Sequence, residues 1–339
     1  MLLKSRVHDH PSMPSKDLVP AGENRLDSLR NQLPEILARA GQAAIFAAEE
    51  LFFGHLRNEH TRAAYLVAVK RFLAWAEERG LELVRIAPKH VGQYLDGLRK
   101  ETTVSTRKQH LAALRHFFDG LVMRHAILLN PALSVRGERY EVIEGKTPEI
   151  TVEGARKLLA SLGAGSVVGL RDRAIIAILV YTASRAGAVA KLQRGSFYHA
   201  GDQWMLHYEE KGGKSREIPV RHDLEQMIFG YLDAAGLRNA RKDTPLFRTA
   251  YKKTGRLTNN AMYVVDVCRM VKRRLKDAGL PGRLSPHSFR VTTITDLLEQ
   301  GVPLEDVQRL AGHADPRTTR LYDRRQKWIT RNIVERISI

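Results

Sequence analysis

Apolar residues return every three or four positions along most of this chain, the period of helices that bury one face. Residues 1–24 show no such period. From about residue 25 to 55 a helical pattern sets in, clearest in LPEILARAGQAAIFAAEELFFGHL (33–56). NEHTRAAYLVAVKRFLAWAEERG (58–80) predicts an amphipathic helix with Ala64, Val67, Phe72, Leu73 and Trp75 facing a core and Gly80 at the C-cap. Two further helices are predicted in 87–101 and 103–126, the latter capped by Ser105 or Thr106. Together they make an all-α module that ends near NPALSV (130–135).

The pattern lapses in RGERYEVIEGK (136–146), a charged stretch that reads as a linker. Helical periodicity resumes in TPEITVEGARKLLASL. There Thr151 is followed three residues later by Gly154, so a full capping box is missing, although Glu153 favours a helix start. AIIAILVYTA (174–183) is apolar on every side and predicts a buried helix, far short of the roughly 20 residues that cross a bilayer. The period then changes to two. SFYHAGDQWMLHYEEKGGKSREIPV (196–220) predicts a β-meander turning at Gly201–Asp202 and at Gly212–Gly213, with helices for the remainder. The expected organisation is therefore 1–44 as a leader with a candidate helix, 45–135 as a helical domain, 136–146 as linker, and 147–339 as a second domain with a C-terminal tail.

Composition narrows the partners. The 339 residues are 43% apolar, enough for two cores, and carry a formal charge of +18 spread along the sequence. Such an excess concentrates a polyanion near the surface and points to nucleic acid or an acidic membrane. The single cysteine, Cys268, excludes an internal disulfide and a cysteine-rich zinc site, and suits a reducing compartment. MLLKSRVHDHPSMPSKD has charges and prolines where a secretory signal needs an apolar run, so a cytoplasmic, DNA-accessible protein is expected, with no membrane partner.

Four stretches of the second module offer groups suited to an anionic centre. Arg185 follows the buried helix in YTASRAGAVAKL. Lys211 and Lys214 flank the two-glycine turn of EKGGKSRE. His287 and Arg290 in LSPHSFRVTT are three apart, one helical face. His313 and Tyr322 stand nine positions apart in LAGHADPRTTRLYDRR, among several arginines. Singly, each is more ordinary as a capping, structural or solvated residue; the set in this order is not.

That ordered set resembles the signature of the tyrosine recombinase (phage integrase) family: Arg185, Lys211 in a hairpin, His287-x-x-Arg290, Gly312-His313, Thr319-x-x-Tyr322. LSPHSFRVTTITDLLEQG and RLAGHADPRTTRLY are similar to the family's most recognisable segments, and TRAAYLVAVKRFLAWA with LAALRHFFDGLV to its helical core-binding domain. The resemblance spans about residues 45–335. It implies a mainly α fold with a small antiparallel β-meander: an all-α core-binding (SAM-like) domain plus a mixed α/β catalytic domain.

It also implies a chemistry. Arg185 and Arg290 would grip the non-bridging oxygens of a phosphodiester, for which guanidinium is suited by its paired donors and permanent charge. Tyr322 would be the nucleophile, His287 the proton acceptor, Lys211 the acid protonating the departing 5′-oxygen, and His313 a phosphate ligand or a pocket wall. The covalent link stores the energy of the broken bond, so no cofactor and no metal are expected. No G-x-x-x-x-G-K-[ST] loop, paired-carboxylate site or zinc spacing is present in the sequence. The expected partner is double-stranded DNA, gripped by both domains and bound as a homo-tetramer on two paired sites, with a monomer off DNA. Backbone contacts are expected from Arg62, Lys70, Arg107, Lys108, Arg115, Lys214, Arg320 and Arg324.

One position departs from the family pattern. An acidic residue usually follows the first arginine by three; here it is Ala188, with Glu209 or Glu210 as substitutes. The apolar tail QKWITRNIVERISI is expected to dock on a neighbouring protomer or on its own domain. Two alternatives share the setting: a type IB topoisomerase-like relaxing enzyme, and a non-catalytic DNA-binding relative. Pure binding needs no positioned hydroxyl, which speaks against the second. A metal-dependent nuclease would need clustered carboxylates.

Overall fold

The computed structural model describes residues 34–139, 147–163, 165–209, 215–252 and 254–323. The chain divides into two compact units, 1–141 and 142–339.

The first unit is helical. Helices α1 (Glu35–Arg39) and α2 (Gln42–Glu49) run into a π-helical turn, Glu50–His55, followed by α3 (Glu59–Glu77), α4 (Pro88–Gly97) and α5 (Val104–Met123). Asn58 caps α3 by accepting from the Thr61 amide at 3.1 Å. The cap of α5 is Thr103, which accepts from the Thr106 amide at 3.3 Å, not Ser105 or Thr106 as expected. The buried stripe of α3 is Ala68, Val69, Phe72, Leu73 and Ala76. Val67, expected inside, is 63% exposed because it lies off that stripe by one position, and Ala64 and Trp75 sit half-buried at its edges. Phe72 meets Tyr94 and Phe118 edge-on at 5.1 and 5.7 Å between ring centroids, so α3, α4 and α5 share one aromatic centre. Each fully buried side chain of this size contributes about 1.5–3 kcal/mol of burial free energy.

The second unit is built around α7 (Val167–Tyr181), which follows α6 (Val152–Ser161). Thr151 caps α6 through the Gly154 amide, and Ser166 caps α7 through the Gly169 amide. A Cβ on Gly169 would stand 2.3 Å from the Gly163 carbonyl oxygen, so this turn requires glycine. Residues 174–179 of α7 are all fully buried, as a helix apolar all round must be. After α8 (Ala186–Ala190), strands β1 (Phe197–Ala200), β2 (Gln203–Glu209) and β3 (Ser215–Pro219) form an antiparallel sheet in that order. Ala200 pairs with Gln203 around the expected turn, while Gly212–Gly213 lies outside the described residues.

Helix α9 (His222–Ala234) packs on α7. A second hairpin follows, β4 (Arg248–Ala250) and β5 (Leu257–Ala261), where only helix was expected. Its register shifts between Arg248 and Ala250, and its residues are mostly polar and all half-buried or exposed, so it lacks the alternation that announces a strand. Helices α10 (Val264–Asp277), α11 (Pro286–Glu299), α12 (Leu304–Ala311) and α13 (Pro316–Arg320) complete the unit. A satellite cluster of Ala183, Ile294, Leu298, Val307 and Ala311 ties the end of α7 to α11 and α12, and Tyr322 packs against it.

Candidate active site

Five of the six proposed catalytic residues lie in the described part of the second unit: Arg185 before α8, His287 and Arg290 on α11, His313 after α12 and Tyr322 after α13. The sixth, Lys211, lies outside the described residues, as do Lys214, Arg324, Glu210 and the tail from 324 onward. His287 and Arg290 sit in the first turns of α11, whose N-terminus carries Ser285 and Pro286. The three-residue spacing puts both on one face, with His287 exposed and Arg290 fully buried. Arg290 donates from Nη1 to the Ala183 carbonyl. Ala183 itself has φ 49°, a left-handed conformation uncommon for a residue with a Cβ. Arg185, two residues on, is exposed at the N-cap position of α8.

His313 owes its place to Gly312. Helix α12 ends there in the left-handed region (φ 63°, ψ 42°), where glycine has no Cβ penalty, and the next residue turns inward. The His313 ring is buried. Its Nδ1 hydrogen-bonds Thr319 Oγ1 at 2.9 Å, and its face lies parallel to the Tyr322 ring, 5.9 Å between centroids and 5° between planes. Tyr322 follows α13, and its hydroxyl stands 3.4 Å from Nε2 of His287.

The electrostatics are those of a site waiting for an anion. Although His287 as a whole reaches solvent, desolvation of its ring by the surrounding protein, then Arg290 and Arg185, lowers its proton affinity. The same causes in the same order, with His287 and Arg216 after them, hold His313 down at about 3. Both imidazoles are therefore neutral near pH 7, and the field in the pocket is positive. No cluster of three or more His, Cys, Asp or Glu that would hold a metal occurs among the described residues.

Arg216 was not singled out from the sequence. It lies on β3 on the same side as the buried Ile218, and an inward arginine in a strand is the signal that was there to read. Its Nη1 donates to the Leu310 carbonyl near the end of α12, its Nη2 to Ser184 Oγ at 3.1 Å, and its guanidinium covers the Tyr208 ring at 5.2 Å. Regarding the missing acid, Ala188 is half-buried against the core and Glu209 is an exposed end of β2.

The DNA-contact candidates of the first unit separate. Lys108 is exposed and Lys70 half-buried. Arg107 departs from the expectation: it is buried and paired through Nε and Nη2 with both carboxylate oxygens of Glu138, at 2.7 and 2.8 Å. Arg115 is likewise occupied, donating to the carbonyls of Ala132 and Val135, and Arg62 to that of Leu56. These three satisfy backbone carbonyls or a carboxylate inside their own unit, leaving fewer donors for phosphate. Arg320 is exposed on α13, two positions before Tyr322.

A helical first unit, and a second unit in which a small antiparallel sheet accompanies a helical core, are the fold of the tyrosine recombinases. Two solved structures share it. A XerH recombinase bound to a palindromic difH substrate aligns with a TM-score of 0.64 at 20% identity, covering 78% of this chain and 77% of that one. A lambda integrase fragment (75–356) dimer on a COC' core site aligns at 0.59 and 19%, covering 83% and 95%. Residues 149–327 match the phage integrase family, and residues 49–125 match the phage integrase N-terminal SAM-like domain; the chain belongs to this family. Among its relatives are tyrosine recombinase XerC of Pelobacter propionicus, 30% identical over 79% of this chain and 87% of that protein, and tyrosine recombinase XerD of Chlorobaculum tepidum, 27% identical over 80% and 90%.

Proposed function

We propose that this chain is a site-specific DNA recombinase that cuts and rejoins duplex DNA through a phosphotyrosyl link at Tyr322. The observation that carries the reading is the Tyr322 hydroxyl at 3.4 Å from a neutral imidazole, inside the positive field of Arg185 and Arg290. A phenol needs a proton acceptor to become a nucleophile at neutral pH. His287 is that acceptor. A phosphodiester entering between the arginines offsets their field and raises the proton affinity of His287 at the moment it is needed.

The Tyr322 oxygen then bonds to phosphorus while the bond to the 5′-oxygen breaks. That oxygen leaves with a proton, and we assign its delivery to Lys211. The charge growing on the non-bridging oxygens falls on the guanidiniums, and one such fixed donor typically supplies about 3 kcal/mol. The product is a 3′-phosphotyrosine and a free 5′-hydroxyl. Attack by the 5′-hydroxyl of another strand reverses the steps and restores the tyrosine, so no outside energy source enters.

The relatives support DNA as partner, and a lambda integrase of the same fold is seen as a tetramer bound to a Holliday junction. By that likeness the working form is a homo-tetramer on two paired sites. No helix among the described residues is long and apolar enough to cross a membrane.

The test is incubation with nicked duplexes carrying candidate sites, followed by denaturing electrophoresis. A protein–DNA adduct that Tyr322→Phe abolishes is expected. An adduct that survives Tyr322→Phe, or none with wild type on any site it binds, overturns the proposal. Relaxation of supercoiled plasmid without sequence requirement would instead favour the topoisomerase-like alternative.

A further inference from the structure

We infer that Arg216 is a positioning residue that sets the two walls of the phosphate pocket relative to each other. The inference rests on the recombinase reading of that pocket. The two walls come from segments more than a hundred residues apart. Arg185 follows Ser184 at the end of α7, and His313 follows Leu310 by three residues at the end of α12. One guanidinium bonds to both: to Ser184 Oγ at 3.1 Å and to the Leu310 carbonyl.

Around it the geometry is over-determined. Thr182 Oγ1 donates to the Ile178 carbonyl or to Ser184 Oγ, both at 2.7 Å, and meets the Tyr208 hydroxyl at 3.1 Å. The Tyr208 ring lies under the Arg216 guanidinium. Ser184, Thr182 and Tyr208 are all buried, so these bonds are made away from water, where a fixed donor geometry is held most firmly. Arg216 has the fork of donors needed to reach two acceptors on different segments at once, which one ammonium on a flexible stem does less well. It also adds to the positive field that keeps His313 neutral.

Arg216 acts through the residues it holds, Ser184 and Leu310. A misplacement of about 1 Å in such a site can lower a rate about 100-fold. The experiment compares wild type, Arg216→Lys and Arg216→Gln in three readouts: thermal melting, DNA affinity and the rate of adduct formation on nicked duplexes. The His313 imidazole titration is followed by NMR in DNA-free protein. Arg216→Gln is expected to bind DNA within about two-fold of wild type while forming adduct at least about ten-fold more slowly. Its His313 titration is expected to move up, because a positive neighbour and some burial are lost. Arg216→Lys, retaining charge and one bond, is expected to restore the titration and part of the rate.

Equal rates and equal titrations in wild type and Arg216→Gln overturn the inference. So does a loss of rate matched by equal losses of melting temperature and affinity in both variants, the mark of a general structural role. Absence of adduct with wild type strikes the recombinase reading instead, and the titration alone then judges Arg216.

Discussion

The hydroxyl of Tyr322 lies 3.4 Å from Nε2 of His287, although 35 residues separate them in the chain. The contact is long for a hydrogen bond, as catalytic contacts often are before substrate tightens them. It sets a direction for proton flow, from phenol to imidazole. Replacing His287 by Gln should lower the rate of adduct formation by about 10²–10⁴. DNA affinity should stay near wild type, and a comparable loss of affinity would move His287 from proton transfer to binding.

His313 links the site to acid stability. Its folded proton affinity is depressed to about 3 by burial and by the surrounding cations, whereas an unfolded histidine takes its proton near 6.5. Between these values the unfolded chain binds the extra proton, so stability is full above about pH 6.5 and falls as pH drops toward about 3. Melting temperature measured from pH 7.5 to 4.5 should therefore fall more steeply in wild type than in His313→Gln.

Asp172 is fully buried on α7 and serves three arginines. Oδ1 accepts from Arg171 at 3.0 and 2.7 Å, and Oδ2 from Arg273 at 3.1 Å and Arg274 at 2.9 Å. Removing the carboxylate strands these charges, so Asp172→Ala should cost about 3 kcal/mol or more in denaturant unfolding. An unchanged unfolding midpoint would show that water compensates there.

Arg107 and its neighbour Lys108 give a paired test of which cations meet DNA. Each phosphate contact contributes about 0.9 to the slope of log K against log salt. Lys108→Ala should flatten that slope by about this amount if the exposed ammonium meets phosphate. Arg107→Ala should leave the slope unchanged and lower thermal stability, because Arg107 holds Glu138.

The left-handed Ala183 offers a local test of strain. A β-branched side chain is least at ease there, so Ala183→Val should destabilise the second unit by about 1–3 kcal/mol. It should also slow adduct formation, since the Ala183 carbonyl holds Arg290.

Much of the site was legible because its residues form an ordered set that resembles a family signature, although each taken alone is ordinary. The His287–Arg290 spacing needed only a helix to become one face, whereas Gly312 entered only with His313 through the family resemblance, and its left-handed stop of α12 is seen only in the fold. What escaped had little or no local signature. Thr103, Ser105 and Thr106 are equivalent by type, and only the backbone decides which hydroxyl caps α5. The hairpin of β4 and β5 is short, bulged and polar. Arg107 and Arg115 looked like surface cations because sequence does not show which carbonyls and carboxylates the fold brings to them. The role of Arg216 is a meeting of three distant segments, which no window of sequence contains.

The proposed nucleophile, Tyr322, rides at the end of a five-residue helix, anchored by the Thr319–His313 bond and by its ring against a five-residue cluster, while Arg290 is built into the deep interior. Losing the hydroxyl therefore disturbs little else. If Tyr322 is the nucleophile, a single substitution there would remove cutting while leaving the fold that presents it intact.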